Sequence, residues 1–482
     1  MRCSCCSHYL LLLERHRVIH PRTVCPDLWE QLGLNDSDWA KEHQEELRQC
    51  VDRNHKLFEF KNKPAFTDRE GNVVKVPIPL KDDTPVCQRA YRLSPDRLKV
   101  LDAYLDELLE LGVIRPTSTS EYSSVVVLVP KADGSMRVTC DFRPINKKCK
   151  KYAFSPSTPQ EIWDSCYGSE LYSCCDVSKA FYNLSIAEKD VHKTAFATPH
   201  RGMFEWLRMP MGLVNSPACL AAHFEDMLRV PLPPEFGELA GKTALGTICN
   251  IYTDDICLHS KEDNHHQCLI WLFDLLNKHN VTLRADKCHL GQTSIKYLGM
   301  ELSKEGLSID QTKIKAVKEA KIPDSVEAVR RFLGVVGYLR QFIPNFGARS
   351  VNLTKLLKKG AVFSWTEVHQ QEYDYLINKI TAPECLALYD WSKPAILRTD
   401  ASRSGLGAVL CQEHNGVRRP IYYLSRQLRP AEMNYDVRDL ECLGLVWGCQ
   451  KLRPYLLNQR FIVENDHNNL NWLMQYKGTN RR

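Results

Sequence analysis

Three carboxylates carried in β-type sequence offer the chemistry of a paired-metal site. The stretch Ile248-Cys249-Asn250-Ile251-Tyr252-Thr253-Asp254-Asp255-Ile256-Cys257-Leu258-His259 has two runs rich in β-branched and apolar residues around a polar centre. Such a pattern predicts a hairpin with two adjacent acids at or beside its turn. Alone, it reads more readily as a solvated turn that happens to be acidic. A second strand-like run, Leu171-Tyr172-Ser173-Cys174-Cys175-Asp176-Val177, ends in one more acid and gives way to Ser178-Lys179-Ala180-Phe181-Tyr182. Laid side by side, strand and hairpin bring Asp176, Asp254 and Asp255 together, and crowded carboxylates need cations between them to stay ionised. Two magnesium ions about 3.5–4 Å apart, with manganese as a substitute, would serve an in-line displacement by a hydroxyl at a phosphate.

Tyr252-Thr253-Asp254-Asp255 resembles the tyrosine-x-Asp-Asp box of reverse transcriptases, and the surrounding words resemble those of the Ty3/gypsy long-terminal-repeat retroelements. These are Val129 to Arg137 (VPKADGSMR), Asp141 to Asn146 (DFRPIN), Lys193-Thr194-Ala195-Phe196, Phe204-Glu205-Trp206, Met209 to Leu213 (MPMGL) with Asn215-Ser216-Pro217-Ala218, and Tyr297-Leu298-Gly299. The resemblance runs from about residue 76 to the last residue. It implies RNA-directed DNA synthesis: two metals at Asp176, Asp254 and Asp255, an RNA template, a DNA primer, an RNA/DNA hybrid and deoxynucleoside triphosphates.

In that family Arg137 and Lys131 would reach the triphosphate, since three phosphates need cationic partners and a guanidinium can hold two oxygens at once. A surface lysine beside a turn is otherwise commonplace. Phe181 would lie under the incoming sugar and exclude a 2′-hydroxyl by collision; without the motif, an aromatic after a strand reads as core. Met211 stands where relatives usually carry phenylalanine, and its apolar reach keeps the packing. Leu298, Gly299 and Met300 would form the primer grip, which works by position, because about 1 Å of displacement can cost on the order of a hundredfold in rate.

Composition bounds the rest. The 482 residues are 44% hydrophobic and 25% charged with net charge +6, ordinary globular material long enough for several cores. Residues 304–359 hold twelve Lys/Arg against five Asp/Glu, which fits a solvated helical face or a groove for a phosphate backbone. Twenty cysteines lack paired ligand spacing and read as reduced thiols of an intracellular protein, in a cytoplasmic particle or the nucleus. Tyr9-Leu10-Leu11-Leu12-Leu13 is too short to span a membrane. Ser94-Pro95 opens a helix with Leu98, Leu101, Leu105 and Leu108 on one face and Gly112 as its stop. Asp263 or Asn264 opens another with Leu269, Leu272, Phe273 and Leu276.

Leu397-Arg398-Thr399-Asp400-Ala401-Ser402 resembles the opening strand of an RNase H fold, whose nuclease also uses paired metals. Asp400, Glu441 and Asp466 would be its ligands. The family's last acidic ligand and final helix would lie past Arg482, so weak or absent nuclease activity is expected. The reading is an α+β chain: a right-hand polymerase of fingers, palm and thumb, then an α/β RNase H-like domain that is incomplete at its C-terminus. Its parts are an unassigned extension (1–75), fingers and palm (76–303), a basic helical thumb (304–360), a connection (361–393) and the RNase H-like domain (394–482). Two functions compete: a polymerase with an attached nuclease domain, or a catalytically inactive retroelement remnant that only binds nucleic acid. No recognisable protease, integrase or capsid segment accompanies them, which is expected of a piece of a larger polyprotein.

Overall fold

The computed structural model describes residues 27–465 except 36, 61, 62, 132 and 133. Asp466 therefore lies outside the described residues. The described residues form three hydrophobic cores, the second of which takes Ile162, Trp163, Tyr172 and Cys257 from within the stretch that builds the first.

The first core serves two sheets. One is five-stranded, ordered Ile114–Thr117, Met203–Trp206, Phe196–Ala197, Ser124–Pro130, Met136–Cys140. The other is four-stranded, ordered His289–Gln292, Leu171–Asp176, Asp255–Ser260, Cys249–Tyr252. The predicted helices pack on them. Pro95–Glu110 buries Leu101, Leu105 and Leu108, and Gly112 follows it at φ 64°, a left-handed stop. His265–Lys278 buries Leu269, Leu272, Phe273 and Leu276. The described residues of 27–58, which match no motif, belong to this core as well: Trp29, Leu47, Val51 and Leu57 are buried in it, and Ser37 caps a short helix Asp38–Glu42 that the sequence Asp36-Ser37-Asp38 foreshadows. Arg53 grips Asp274 through two bonds of 3.0 and 2.6 Å, and Asn54 adds a third to the same carboxylate at 2.6 Å.

The second core lies under a three-stranded meander, Ser294–Tyr297, Met300–Ser303 and Gly306–Ile309. Helices Gln311–Lys318 and Val326–Tyr338 cover it, started by Asp310 and Ser325, whose side chains accept from Thr312 and Ala328 N–H. Helix Glu367–Thr381 joins them through Leu376 and Ile380, so the segment expected as a connection shares a core with the segment expected as a thumb.

The third core belongs to a sheet ordered Val417–Arg426, Gly405–His414, Ala395–Ser402, Phe461–Glu464, in which the last strand runs parallel to its neighbour. Helix Val437–Lys451 packs closely on it because Gly448 has no side chain; a Cβ there would stand 3.4 Å from both Ala408 Cβ and Thr399 Cγ2. Among the described residues no helix is long and apolar enough to cross a membrane, and every described cysteine is a free thiol.

Candidate active site

Local sequence builds the acidic hairpin. Cys249–Tyr252 and Asp255–Ser260 pair with Tyr252 opposite Asp255, leaving Thr253 and Asp254 as a two-residue turn. Thr253 takes φ 60°, a value that two-residue turns usually give to glycine or asparagine. The turn is held from outside: Val177 N–H donates to Asp254 O at 2.9 Å. The second hairpin strand pairs antiparallel with Leu171–Asp176, and the register sets Asp255 directly opposite Asp176. Beneath them His265, fully buried, bridges Ser173 and Ser260 at 2.8 Å each, tying both strands to its helix. Burial holds that imidazole neutral, its pKa lowered to about 3.

Like charges directly opposed on a sheet repel. The pKa of Asp255 is pushed up to about 6, first by loss of water around it and then by the charges of Asp254 and Asp176. That of Asp254 is also raised, with burial the main cause and Asp176 adding to it. Lys287 acts against both shifts, and its Nζ lies 3.0 Å from Asp176 Oδ2. Among the described residues no group of three or more His, Cys, Asp and Glu side chains forms a ligand cluster. The donor set is nonetheless all carboxylate, which suits hard divalent cations, and Asp254 and Asp255 resist ionisation until positive charge is supplied.

The remaining expected residues lie on separate elements. Arg137 is exposed opposite Val129 in the five-stranded sheet, and Lys131 closes the adjoining loop through its N–H to Ser135 O at 2.7 Å. Phe181 lies half-buried on the turn Ala180–Asn183, just after Asp176, against the first core. Met211 is 54% exposed on a loop that Asn146 pins from both sides, donating to Gly212 O at 2.8 Å and accepting from Val214 N–H at 2.9 Å.

Leu298 and Gly299 form the two-residue turn of the meander's first hairpin, at φ 49° and 74°. Tyr338 donates to Leu298 O at 2.7 Å and Lys313 Nζ to Gly299 O at 2.6 Å, so helices Gln311–Lys318 and Val326–Tyr338 clamp that turn. Met300 is buried, anchoring the hairpin from below rather than presenting a surface. Tyr297 donates to Asp255 O at 3.1 Å and joins this hairpin to the acidic one. The partners of Lys287, Lys313 and Tyr338 are not legible in the sequence, because each acts through a contact made only by folding.

In the third core's sheet Asp400 is exposed at the mouth of a cleft of about 600 Å³, and Glu441 is buried on helix Val437–Lys451. Asn465 Nδ2 reaches Glu441 Oε2 at 3.2 Å and Thr399 Oγ1 at 3.1 Å. Asp400 Oδ2 accepts instead from Asn345 Nδ2 at 3.3 Å.

Fold and site together define a reverse transcriptase followed by an RNase H-like domain. The family "Reverse transcriptase (RNA-dependent DNA polymerase)" matches residues 129–302. The family "RNase H-like domain found in reverse transcriptase" matches residues 365–463. The Tf2-3 and Tf2-7 transposon polyproteins of Schizosaccharomyces pombe are each 31% identical over 428 residues, 86% of this chain. The chain spans 30% of the length of those polyproteins. It belongs to the reverse transcriptase/RNase H region of Ty3/gypsy-type retroelement Pol polyproteins. Among solved structures, the foamy viral protease-reverse transcriptase in complex with dsDNA aligns with TM-score 0.79 at 20% identity, covering 95% of this chain and 92% of that one. The same viral protein in complex with RNA/DNA hybrid aligns with TM-score 0.75 at 21% identity, covering 94% of this chain and 58% of that one.

Proposed function

We propose that this chain is an RNA-directed DNA polymerase that extends a DNA primer on an RNA template, with Asp176, Asp254 and Asp255 holding two Mg²⁺ ions or Mn²⁺ in their place. One observation carries the reading: the register that sets Asp255 opposite Asp176, with Asp254 in the adjoining turn. Paired cations bound there would favour ionisation of the primer 3′-hydroxyl and stabilise the leaving pyrophosphate. The carboxylates supply the negative charge that holds such ions, and Lys287 gives up its partner Asp176 when they bind.

Arg137 and Lys131 serve the triphosphate; among the described residues neither side chain has an ion-pair partner that would compete for it. Phe181 screens the sugar and Met211 packs against the nucleotide. The clamped turn at Leu298 and Gly299 positions the primer end, and the basic helices that clamp it carry the duplex by its phosphates. The foamy viral relatives, solved with dsDNA and with RNA/DNA hybrid, support nucleic-acid partners of this kind. Asp400, Glu441 and Asp466 are proposed as the metal-holding carboxylates of the RNase H-like domain. The free thiols are consistent with work inside the cell.

The test is primer extension on an RNA template with Mg²⁺. Purified chain extends the primer, and Asp254→Asn lowers the rate by at least on the order of 10³. Equal rates for parent and variant would remove the assignment.

A further inference from the structure

The cleft at Asp400 is not built by the RNase H-like domain alone. Its wall includes Asn345, which follows helix Val326–Tyr338 and the turn Arg340–Phe342 and so comes from the polymerase half of the chain. Asn345 Nδ2 stands 3.3 Å from Asp400 Oδ2. The other polar groups nearby are engaged elsewhere: Arg398 Nε pairs with Glu464 at 3.3 Å, and Asn465 reaches Thr399 and Glu441.

The approach depends on missing side chains. A Cβ on Gly407 would fall 2.1 Å from Asn345 Oδ1, so any residue but glycine there displaces the amide. A Cβ on Gly347 would fall 2.8 Å from the Arg426 carbonyl carbon, so the strap formed by residues 344–347 lies against the sheet's edge strand backbone to backbone. Asn345 itself sits at φ 53°, a conformation asparagine adopts more readily than most residues. The strap is pinned on both sides of it. Gly347 N–H donates to Ser425 Oγ at 2.7 Å, Tyr375 donates to Pro344 O at 3.2 Å, and the Arg349 guanidinium lies 4.8 Å over the Tyr375 ring.

We infer that Asn345 is a positioning residue that the polymerase half lends to the RNase H-like cleft, where its side-chain amide orients the Asp400 carboxylate for a divalent cation. A neutral N–H donor at Oδ2 fixes the carboxylate's rotation while leaving Oδ1 and its charge for the ion. Outer partners of this kind typically change metal affinity by about 10–100-fold when removed. The inference rests on the reading of Asp400 as a metal ligand, and it makes that site complete only while the two halves are docked.

The test is a Mn²⁺ titration followed by electron paramagnetic resonance, on the full chain carrying Asp254→Asn and Asp255→Asn so that polymerase-site ions do not contribute. In this background the Asp400→Asn variant defines which binding depends on Asp400. Asn345→Gly, which keeps the backbone conformation, is expected to weaken that binding about tenfold, and Gly407→Ala to do the same from the opposite side. With Asp254 and Asp255 intact, Asn345→Gly should extend primers at the parent rate. Unchanged Mn²⁺ affinity in both variants overturns the inference, as does a loss of primer extension in step with the loss of Mn²⁺, which would mark general structural damage. If Asp400→Asn binds Mn²⁺ as its parent does, the reading of Asp400 as a ligand fails first and takes the inference with it.

Discussion

Lys287 Nζ lies 3.0 Å from Asp176 Oδ2, on the carboxylate that faces Asp255 across the two central strands. This lysine opposes the rise in pKa of both Asp254 and Asp255. The raised carboxylates favour the native state while protonated: for Asp255 that contribution is full below the ordinary value near 3.8 and is lost as pH rises through about 6. Divalent cations, which bind the ionised form, should restore it. Mg²⁺ is therefore expected to raise the melting temperature more at pH 7.5 than at pH 5.5. In Lys287→Met the onset of the Mg²⁺ effect should move to higher pH. Scanning fluorimetry with and without chelator checks both, and a Mg²⁺ shift independent of pH would contradict the account.

Thr253 at φ 60° costs the hairpin strain of roughly 1–3 kcal/mol, which the bond from Val177 N–H to Asp254 O helps to hold. Thr253→Gly relieves the strain and should stabilise the chain by about 1 kcal/mol in urea unfolding, after the entropy of the added glycine is set against it. The looser turn should at the same time lower the rate of primer extension. A variant both less stable and equally active would show that the turn is not strained.

Phe181, held half-buried against the first core directly after the strand of Asp176, is expected to act as a steric screen. In Phe181→Ala, incorporation of ribonucleotides should rise by at least about tenfold relative to deoxynucleotides, while extension with deoxynucleotides persists. Single-nucleotide incorporation with paired substrates measures the ratio. No change would return Phe181 to a packing role.

Helix Pro159–Ser165 meets the RNase H-like domain through Asp164, which accepts from the Tyr455 hydroxyl at 2.5 Å. Burial pushes this carboxyl up to about 6, while the bonds from Tyr455 and Gln160 pull it down. Its stabilising contribution is complete below about 4 and lost as pH rises through about 6. Tyr455→Phe removes a bond that favours the ionised form, and should cost about 1.5–3 kcal/mol at pH 7.5 and less at pH 5. Asp164→Asn should flatten the pH dependence of melting between pH 4 and 6.5. Equal losses in Tyr455→Phe at both pH values would rule out an ionised Asp164 at the contact.

Short-range chemistry made much of this protein legible in its residues. Apolar runs on both sides of Thr253-Asp254 gave away the hairpin, and Ser94-Pro95 and Gly112 bracket the helix between them. The motif residues Asp176, Asp254 and Asp255 were identifiable because a strand and a two-residue turn are local structures. Tertiary structure alone decided the register that opposes Asp255 to Asp176, the lysine that offsets them, and the burial that raises Asp164. It also decided where residues 27–58 go, since Arg53 finds Asp274 across 221 positions of chain. Asn345 shows the reason most plainly. Its place in Pro344-Asn345-Phe346-Gly347 suggests a turn, but its partner Asp400 is 55 residues away and is reached because Gly407 leaves a gap. Pairings of that kind depend on which surfaces are left uncovered once the cores have packed, and no residue spacing encodes that.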